Sequence, residues 1–248
     1  MTLLEGRRVI VTGGGRGLGR AIARSVADAG AAVTLVARSL DQLESTAQEI
    51  VSAGGTADLR VADLSDLDAA GALARDLTAD APVDGIVHAA GIQHRADALD
   101  FDDEDFHRVV TVNVQAPFAL SREVMRSGRG YRASHVFIGS LGSSIAIPRA
   151  VAYAASKAGV LGLVRTLANE WAPSGVRVNA ISPGYFHTEL TTDLLNDEAQ
   201  HARVISRIPM RRLGEPAELG GAAVFLLSDM STYMTGQQII VDGGWLSS

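Results

Sequence analysis

The sequence predicts a single α/β domain spanning residues 1–248, folded as a doubly wound parallel sheet with helices on both faces. Short apolar, β-rich runs alternate with longer stretches of helical periodicity along the whole chain. The β-rich runs are nearly continuously apolar, as strands are when both faces of a sheet are covered. Right-handed crossovers between such strands then stack helices on both sides, which gives a Rossmann-like sheet. No linker, repeat or low-complexity tract interrupts the pattern, and an apolar fraction of 47% is enough for one large core.

In chain order, strands are expected at residues 9–11, 33–36, 57–61, 86–87, 136–138, 176–181 and 239–241. Most are rich in valine and isoleucine, whose branched side chains pack well on a pleated surface. Helices are expected to begin near Leu18, Asp41, Asp66, Asp103, Ala152 and Pro216. The acidic run at residues 100–105 reads as the first turn of an exposed helix, stabilised by the helix dipole, rather than as a metal site. No metal site is expected elsewhere. Residues 188–210 are the least regular; helix-forming pieces after a Pro-Gly turn fit a substrate lid and a static surface insertion equally.

Composition excludes several function classes. A net charge of −6 argues against a nucleic-acid or anionic-membrane surface, because phosphate binding usually needs a basic excess. The chain has no cysteine, so it offers no disulfide, thiol nucleophile or thiolate-ligated zinc. Its longest apolar stretches fall far short of the roughly 20 residues that span a bilayer. A cytoplasmic protein is expected.

The first strand, Val9-Ile10-Val11-Thr12, runs into Gly13-Gly14-Gly15-Arg16-Gly17-Leu18-Gly19 and then an amphipathic helix. Such a turn brings backbone N–H groups and a helix N-terminus against a pyrophosphate, and glycine allows the close approach. A dinucleotide is therefore expected on Gly13, Gly15, Arg16, Gly17, Leu18 and Gly19. The second strand ends Val36-Ala37-Arg38. A site for NAD usually carries a carboxylate here for the ribose hydroxyl. Ala37 carries none, and the Arg38 guanidinium suits a 2′-phosphate, with Arg16 as a second cation. NADP(H) is therefore favoured over NAD(H). Asp63, with Leu64 beside it at the end of the third strand, is expected at the adenine; a helix N-cap is the plainer role.

Tyr153 and Lys157 stand four residues apart on a predicted helix and so share one face. A phenol beside a cation suits proton transfer to or from a carbonyl oxygen, because the cation favours the phenolate. Lys157 is the only lysine in the chain. A compact ammonium reaches ribose hydroxyls where a planar guanidinium does not.

These residues resemble the short-chain dehydrogenases/reductases, and the likeness extends over nearly the whole chain. Thr12-Gly13 through Gly17-Leu18-Gly19 matches the family's TGxxxGxG, and Tyr153 through Lys157 its YxxxK. Ser140 falls at the family's active serine and Asn113 at its helix asparagine. Pro183 and Gly184 with Thr188 match the motif that flanks the nicotinamide. Asn179-Ala180-Ile181 and Val241-Asp242-Gly243-Gly244 are also family-like. The resemblance implies that Ser140 binds the substrate oxygen, Tyr153 exchanges its proton, Lys157 holds the ribose and lowers the tyrosine pKa, and Asn113 holds a relay water. It also implies a homotetramer. The family's Asn-Asn-Ala-Gly reads His88-Ala89-Ala90-Gly91 here. Ala90 and Gly91 keep the small residues needed beside the cofactor, whereas His88 puts local stability in doubt.

The expected reaction is therefore the interconversion of a secondary alcohol and a ketone. Gly91-Ile92-Gln93 with Arg95, and Pro183 through Glu189, look like the gluconate and 2-deoxygluconate dehydrogenase branch. Arg95, Arg149, His94 and His187 are candidate carboxylate receptors, which favours a sugar acid or keto acid. The alternatives are a 3-oxoacyl thioester and a hydrophobic ketone. A cofactor-binding protein without turnover is the remote alternative, since tyrosine and lysine are both present.

Overall fold

The computed structural model describes residues 2–79, 81–188 and 197–247. Seven strands form one parallel sheet: β1 (Arg8–Thr12), β2 (Ala32–Ala37), β3 (Thr56–Val61), β4 (Gly85–His88), β5 (Ser134–Ile138), β6 (Arg177–Pro183) and β7 (Gln238–Val241), in the order β3-β2-β1-β4-β5-β6-β7. All six pairings are parallel, with Val9 opposite Val33 on one side of β1 and Gly85 on the other. Every expected strand is present.

The apolar strands alternate their side chains between two cores. Val9, Val11, Val87, Val136, Ile138 and Ile181 point to one face. There they meet α1 (Gly17–Asp28), α2 (Leu40–Ser52) and α8 (Gly220–Leu227). Ile10, Val36 and Ile86 point to the other face, under α3 (Leu67–Thr78) and α5 (Ala116–Arg126), while Phe137, Val178 and Ala180 meet α6 (Val151–Trp171). Each such residue excluded from water contributes about 1.5–3 kcal/mol, so burial on both faces fixes the layering.

Two differences from the sequence reading bear on the site. The helix expected from Asp103 is not continuous. It runs as α4 (Asp103–Val110), widens into a π turn at Thr111–Gln115 and resumes as α5, with Asn113 in the wide turn. Asp102 caps α4 through the Glu104 N–H, so the acidic run is a helix start as expected. The irregular segment 188–210 contains α7 (Glu198–Arg207), but residues 189–196 of that segment lie outside the described residues.

His88 has a structural place. Its Nε2 meets the Ser121 hydroxyl of α5 at 2.8 Å, and His135 Nδ1 on β5 meets the same oxygen at 3.1 Å. His88 also stacks 4.4 Å from Phe137. The outer nitrogens His88 Nδ1 and His135 Nε2 are buried with no hydrogen-bond partner. Burial holds both rings neutral, His135 down to about 4 and His88 well below its ordinary value. The unfolded chain would bind a proton at the ordinary 6.5, so it binds more protons than the fold between 4 and 6.5. Stability is therefore full above that window and lost as pH falls through it. Replacing His135 with Gln should flatten this loss by roughly 3 kcal/mol, measured as the unfolding free energy in denaturant across the window. Equal slopes in parent and variant would contradict the assignment.

Candidate active site

The strand order reverses at β1, which has β2 on one side and β4 on the other. A crevice opens at the carboxyl ends of strands at such a point. Gly13 enters it at φ +69°, and a Cβ there would lie 2.8 Å from the Ala90 nitrogen. A Cβ on Gly19 would lie 2.2 Å from the Gly13 carbonyl oxygen. These two approaches admit only glycine. Gly14 and Gly15 are buried behind the turn, with a Cβ on Gly15 only 3.0 Å from Gln42, and Leu18 packs on the core.

Helix α1 begins differently from the three helices that follow it in the chain. Ser39, Asp66 and Asp102 cap α2, α3 and α4 with their side chains. Arg16 gives α1 no side-chain cap, and the first turn holds no acidic residue. Without a side-chain cap or an acidic residue in the first turn, its N-terminal N–H groups are a donor set that fits a pyrophosphate. On the far side, the Thr188 methyl would lie 4.0 Å from a Cβ on Gly17, so the segment after β6 reaches the glycine loop. Gly184 packs so closely on the exit of β7 that a Cβ would fall 2.6 Å from the Asp242 Cα; Pro183 ends β6 before it.

Beyond β2, Arg38 is exposed and close enough to Asp63 to act on its charge. Asp63 accepts from the Ser65 N–H at 2.9 Å and the Ser65 hydroxyl at 2.8 Å. The Ser65 backbone bond holds the carboxyl below its ordinary range; burial opposes it, and the Ser65 hydroxyl and the Arg38 charge add smaller lowering effects. The N-cap role considered for Asp63 belongs to Asp66. Leu64 is buried beside it.

The chemical groups converge from β5, α6 and the π turn. Ser140 follows β5 and begins a short turn, its hydroxyl accepting from the Gly142 N–H at 3.1 Å. Tyr153 is half-buried on α6, and Lys157 Nζ lies 5.7 Å from the centre of its ring. The ammonium is buried and donates to the Ile138 carbonyl at 2.7 Å; burial lowers it to about 8. Burial raises the Tyr153 phenol above 10, opposed by a hydrogen bond from Ser140 and the charge of Arg95. The lowering expected from Lys157 is not what this geometry gives. Its ammonium is turned to the Ile138 carbonyl and is not among the influences that shift the phenol.

Asn113 is a brace. Its Oδ1 accepts from the Ile92 N–H at 2.9 Å, and its Nδ2 donates to the Ile92 carbonyl at 3.0 Å and to the Ser156 hydroxyl at 2.9 Å. Ser156 in turn donates to the Tyr153 carbonyl at 2.8 Å. The side chain thus ties the loop after β4 to α6, with both amide hydrogens engaged. Ser156 escaped sequence reasoning although it stands between the tyrosine and the lysine. Ala90 N donates to the Thr12 hydroxyl at 3.2 Å, and a Cβ on Gly91 would sit 3.6 Å from Lys157 Nζ, so this loop lines the same crevice.

Of the four candidate carboxylate receptors, three have acidic neighbours. His94 pairs with Asp105 at 3.3 Å, Arg149 with Asp97 at 3.3 Å, and His187 lies 3.8 Å from Glu215. Arg95 has no carboxylate partner among the described residues, and its charge reaches Tyr153. A groove of about 390 Å³ beside the start of α6 is lined by Ala96, Ile147, Arg149, Val151 and Ala154 but not by Ser140, Tyr153 or Lys157. It is not the reaction cleft.

A family model described as enoyl-(acyl carrier protein) reductase matches residues 13–246. That span carries both the glycine turn and the Tyr153–Lys157 pair. The chain belongs to the short-chain dehydrogenase/reductase family. Among its relatives in that family, 2-dehydro-3-deoxy-D-gluconate 5-dehydrogenase of Bacillus subtilis is 38% identical, covering 98% of this chain and 96% of that protein. L-tagatose-forming galactitol 2-dehydrogenase of Cereibacter sphaeroides is 41% identical over 98% and 96%. The crystal structure of gluconate 5-dehydrogenase from Burkholderia cenocepacia, in complex with NADP and tartrate, superposes with a TM-score of 0.93 at 36% identity, covering 99% and 97% of the two chains.

The protein is thus a short-chain oxidoreductase that interconverts an alcohol and a ketone with a nicotinamide coenzyme. Among the described residues, no helix is long and apolar enough to cross a membrane. The brace within this site is open to a direct test. Asn113→Ala strands the Ile92 N–H and carbonyl and the Ser156 hydroxyl, and should lower the unfolding free energy by about 2–4 kcal/mol. Coenzyme affinity should fall with it, read by fluorescence of bound NADPH. Native stability would show that Asn113 braces nothing.

Proposed function

We propose that the protein is an NADP(H)-dependent dehydrogenase of a sugar acid, with Tyr153 as proton donor and acceptor. The observation that carries this reading is a half-buried phenol adjoined by the Ser140 hydroxyl, the Arg95 charge and Lys157 on the next helical turn. When bound, the coenzyme accepts the hydride from the alcohol carbon or returns it to the ketone. Ser140 donates a hydrogen bond to the substrate oxygen. Tyr153 takes the hydroxyl proton in oxidation and gives it back in reduction. Burial alone raises the phenol, so its ionisation depends on Ser140, Arg95 and the positive charge of the oxidised nicotinamide. Lys157 holds the nicotinamide ribose.

Gly13, Gly15, Gly17, Leu18 and Gly19 cradle the pyrophosphate in this reading, while Arg16 and Arg38 hold the 2′-phosphate. Asp63 and Leu64 adjoin the adenine. Ala90, Gly91, Pro183, Gly184 and Thr188 flank the nicotinamide. Arg95 receives the substrate carboxylate, in keeping with its lack of a carboxylate partner among the described residues, with the 2-dehydro-3-deoxy-D-gluconate of the Bacillus enzyme and with the tartrate in the Burkholderia complex. The galactitol relative favours a second reading, a neutral polyol. A cytoplasmic homotetramer belongs to the same proposal. Exposed Val151 on α6 and Ile240 on β7 support packing through those elements.

Turnover with gluconate, 5-ketogluconate, galactitol and a 3-oxoacyl thioester tests the reading. The acids should react fastest. Arg95→Ala should raise their KM about tenfold or more through loss of a charge-assisted bond, with a smaller effect on kcat. Galactitol as the better substrate, with Arg95→Ala silent, would establish the polyol instead. Tyr153→Phe should bind coenzyme normally and lose at least about a hundredfold in turnover; near-native turnover would refute the mechanism.

Coenzyme choice is tested separately. The parent should show a higher kcat/KM with NADPH than with NADH. Arg38→Asp should reverse the preference, because it removes a phosphate contact and adds repulsion. Equal use of both coenzymes by the parent would refute the role of Arg38.

A further inference from the structure

Ser143 lies three residues after Ser140, at the end of the short turn Leu141–Ser143. Its hydroxyl oxygen accepts the Ser140 backbone N–H at 3.2 Å. The same hydroxyl donates to the Lys157 carbonyl on α6 at 2.9 Å. One oxygen therefore joins the backbone of the serine to that of the lysine. The two candidate proton-handling elements, the end of β5 and the start of α6, are separated in the chain by the loop 144–150; Lys157 Nζ ties α6 to Ile138 on β5, but the turn that carries Ser140 is held to α6 by Ser143. That loop includes Arg149 at φ +62°, a conformation unfavourable for a residue with a Cβ.

We propose that Ser143 is a positioning residue whose hydroxyl bridge sets the distance between Ser140 and the Tyr153–Lys157 pair. The chemistry requires Ser140 and Tyr153 to reach one substrate oxygen together. Ser140 Oγ already accepts from Gly142 within the same turn, so its place depends on how the turn is anchored. Within the turn, Ser143 supplies that anchor. Without the hydroxyl, the Ser140 N–H loses its acceptor and the turn can drift from α6. A displacement on the order of 1 Å is enough to cost up to about a hundredfold in rate. The drift would also weaken the Ser140 hydrogen bond that opposes the effect of burial on the Tyr153 phenol.

The inference rests on the proposed roles of Ser140, Tyr153 and Lys157, so Tyr153→Phe is measured alongside. Ser143→Ala should lower kcat about tenfold with gluconate or 5-ketogluconate, with little change in NADPH affinity. Ser143→Thr keeps the hydroxyl and should restore most of the activity. A second readout needs no substrate. Tyrosinate absorbance, taken as the difference from Tyr153→Phe in the NADP+ complex, should titrate higher in Ser143→Ala by roughly half a pH unit or more. If the alanine protein does not fold, Ser143→Cys carries the test, being close in size but a poor hydrogen-bonding group. Native kcat and an unmoved tyrosine titration in Ser143→Ala, or in Ser143→Cys, would overturn the proposal while Tyr153→Phe stays inactive. Equal loss in the alanine and threonine proteins would overturn it too, because it would show packing rather than the hydroxyl at work. An active Tyr153→Phe protein would overturn the site assignment itself and this inference with it.

Discussion

The approach of backbone to backbone where β1 meets β4 is the constraint on which the site depends. Gly13 passes so near Ala90, and Gly19 so near Gly13, that no side chain fits between them. That proximity brings the uncapped start of α1 into the crevice at the sheet's reversal point. The next three helices in the chain, α2, α3 and α4, are capped by the side chains of Ser39, Asp66 and Asp102. An anion can therefore satisfy the first turn of α1 without displacing a side chain of its own cap.

Polar braces then fix the chemical groups against this frame. Asn113 joins Ile92 to Ser156, and Ser156 joins Tyr153; Ser143 joins Ser140 to Lys157. The Asn113 bonds and the Ser143–Lys157 bond connect pieces of chain far apart in sequence, and the set fastens mostly to backbone. Such contacts hold geometry without spending the reacting groups themselves. The π turn at Thr111–Gln115 belongs to the same device, since Asn113 lies within it. A buried His88–Ser121–His135 contact fastens α5 to β4 and β5 beneath it.

The electrostatics of the site differ from a simple tyrosine–lysine pair. Lys157 is buried, bonded to a carbonyl and lowered to about 8, so its charge diminishes over the alkaline range. Ser140 and Arg95 act on the phenol in its place. In the proposed reading the same arginine, Arg95, would receive the substrate carboxylate and bear on proton transfer at Tyr153. Arg149, with the same charge, is paired to Asp97.

By itself, the sequence determined what local pattern controls. Nearly continuous apolar runs marked most of the strands, because burial on both faces leaves no alternation to read; the edge strand β3, Thr-Ala-Asp-Leu-Arg-Val, is only partly buried. The glycine turn, Ala37-Arg38, and the spacing of Tyr153 and Lys157 are local too, and motif order pointed to Ser140, Asn113 and Thr188 through family resemblance. Only the tertiary structure decided partnership. Asn113 as a brace, Ser143 as a bridge, Lys157 turned to Ile138 and His88 satisfied by Ser121 depend on hydrogen bonds between residues distant in the chain. Arg95 and Arg149 look alike in sequence, and their difference comes from whether a carboxylate folds beside them. Side-chain type fixes what a group can do; packing fixes which neighbour it does it with.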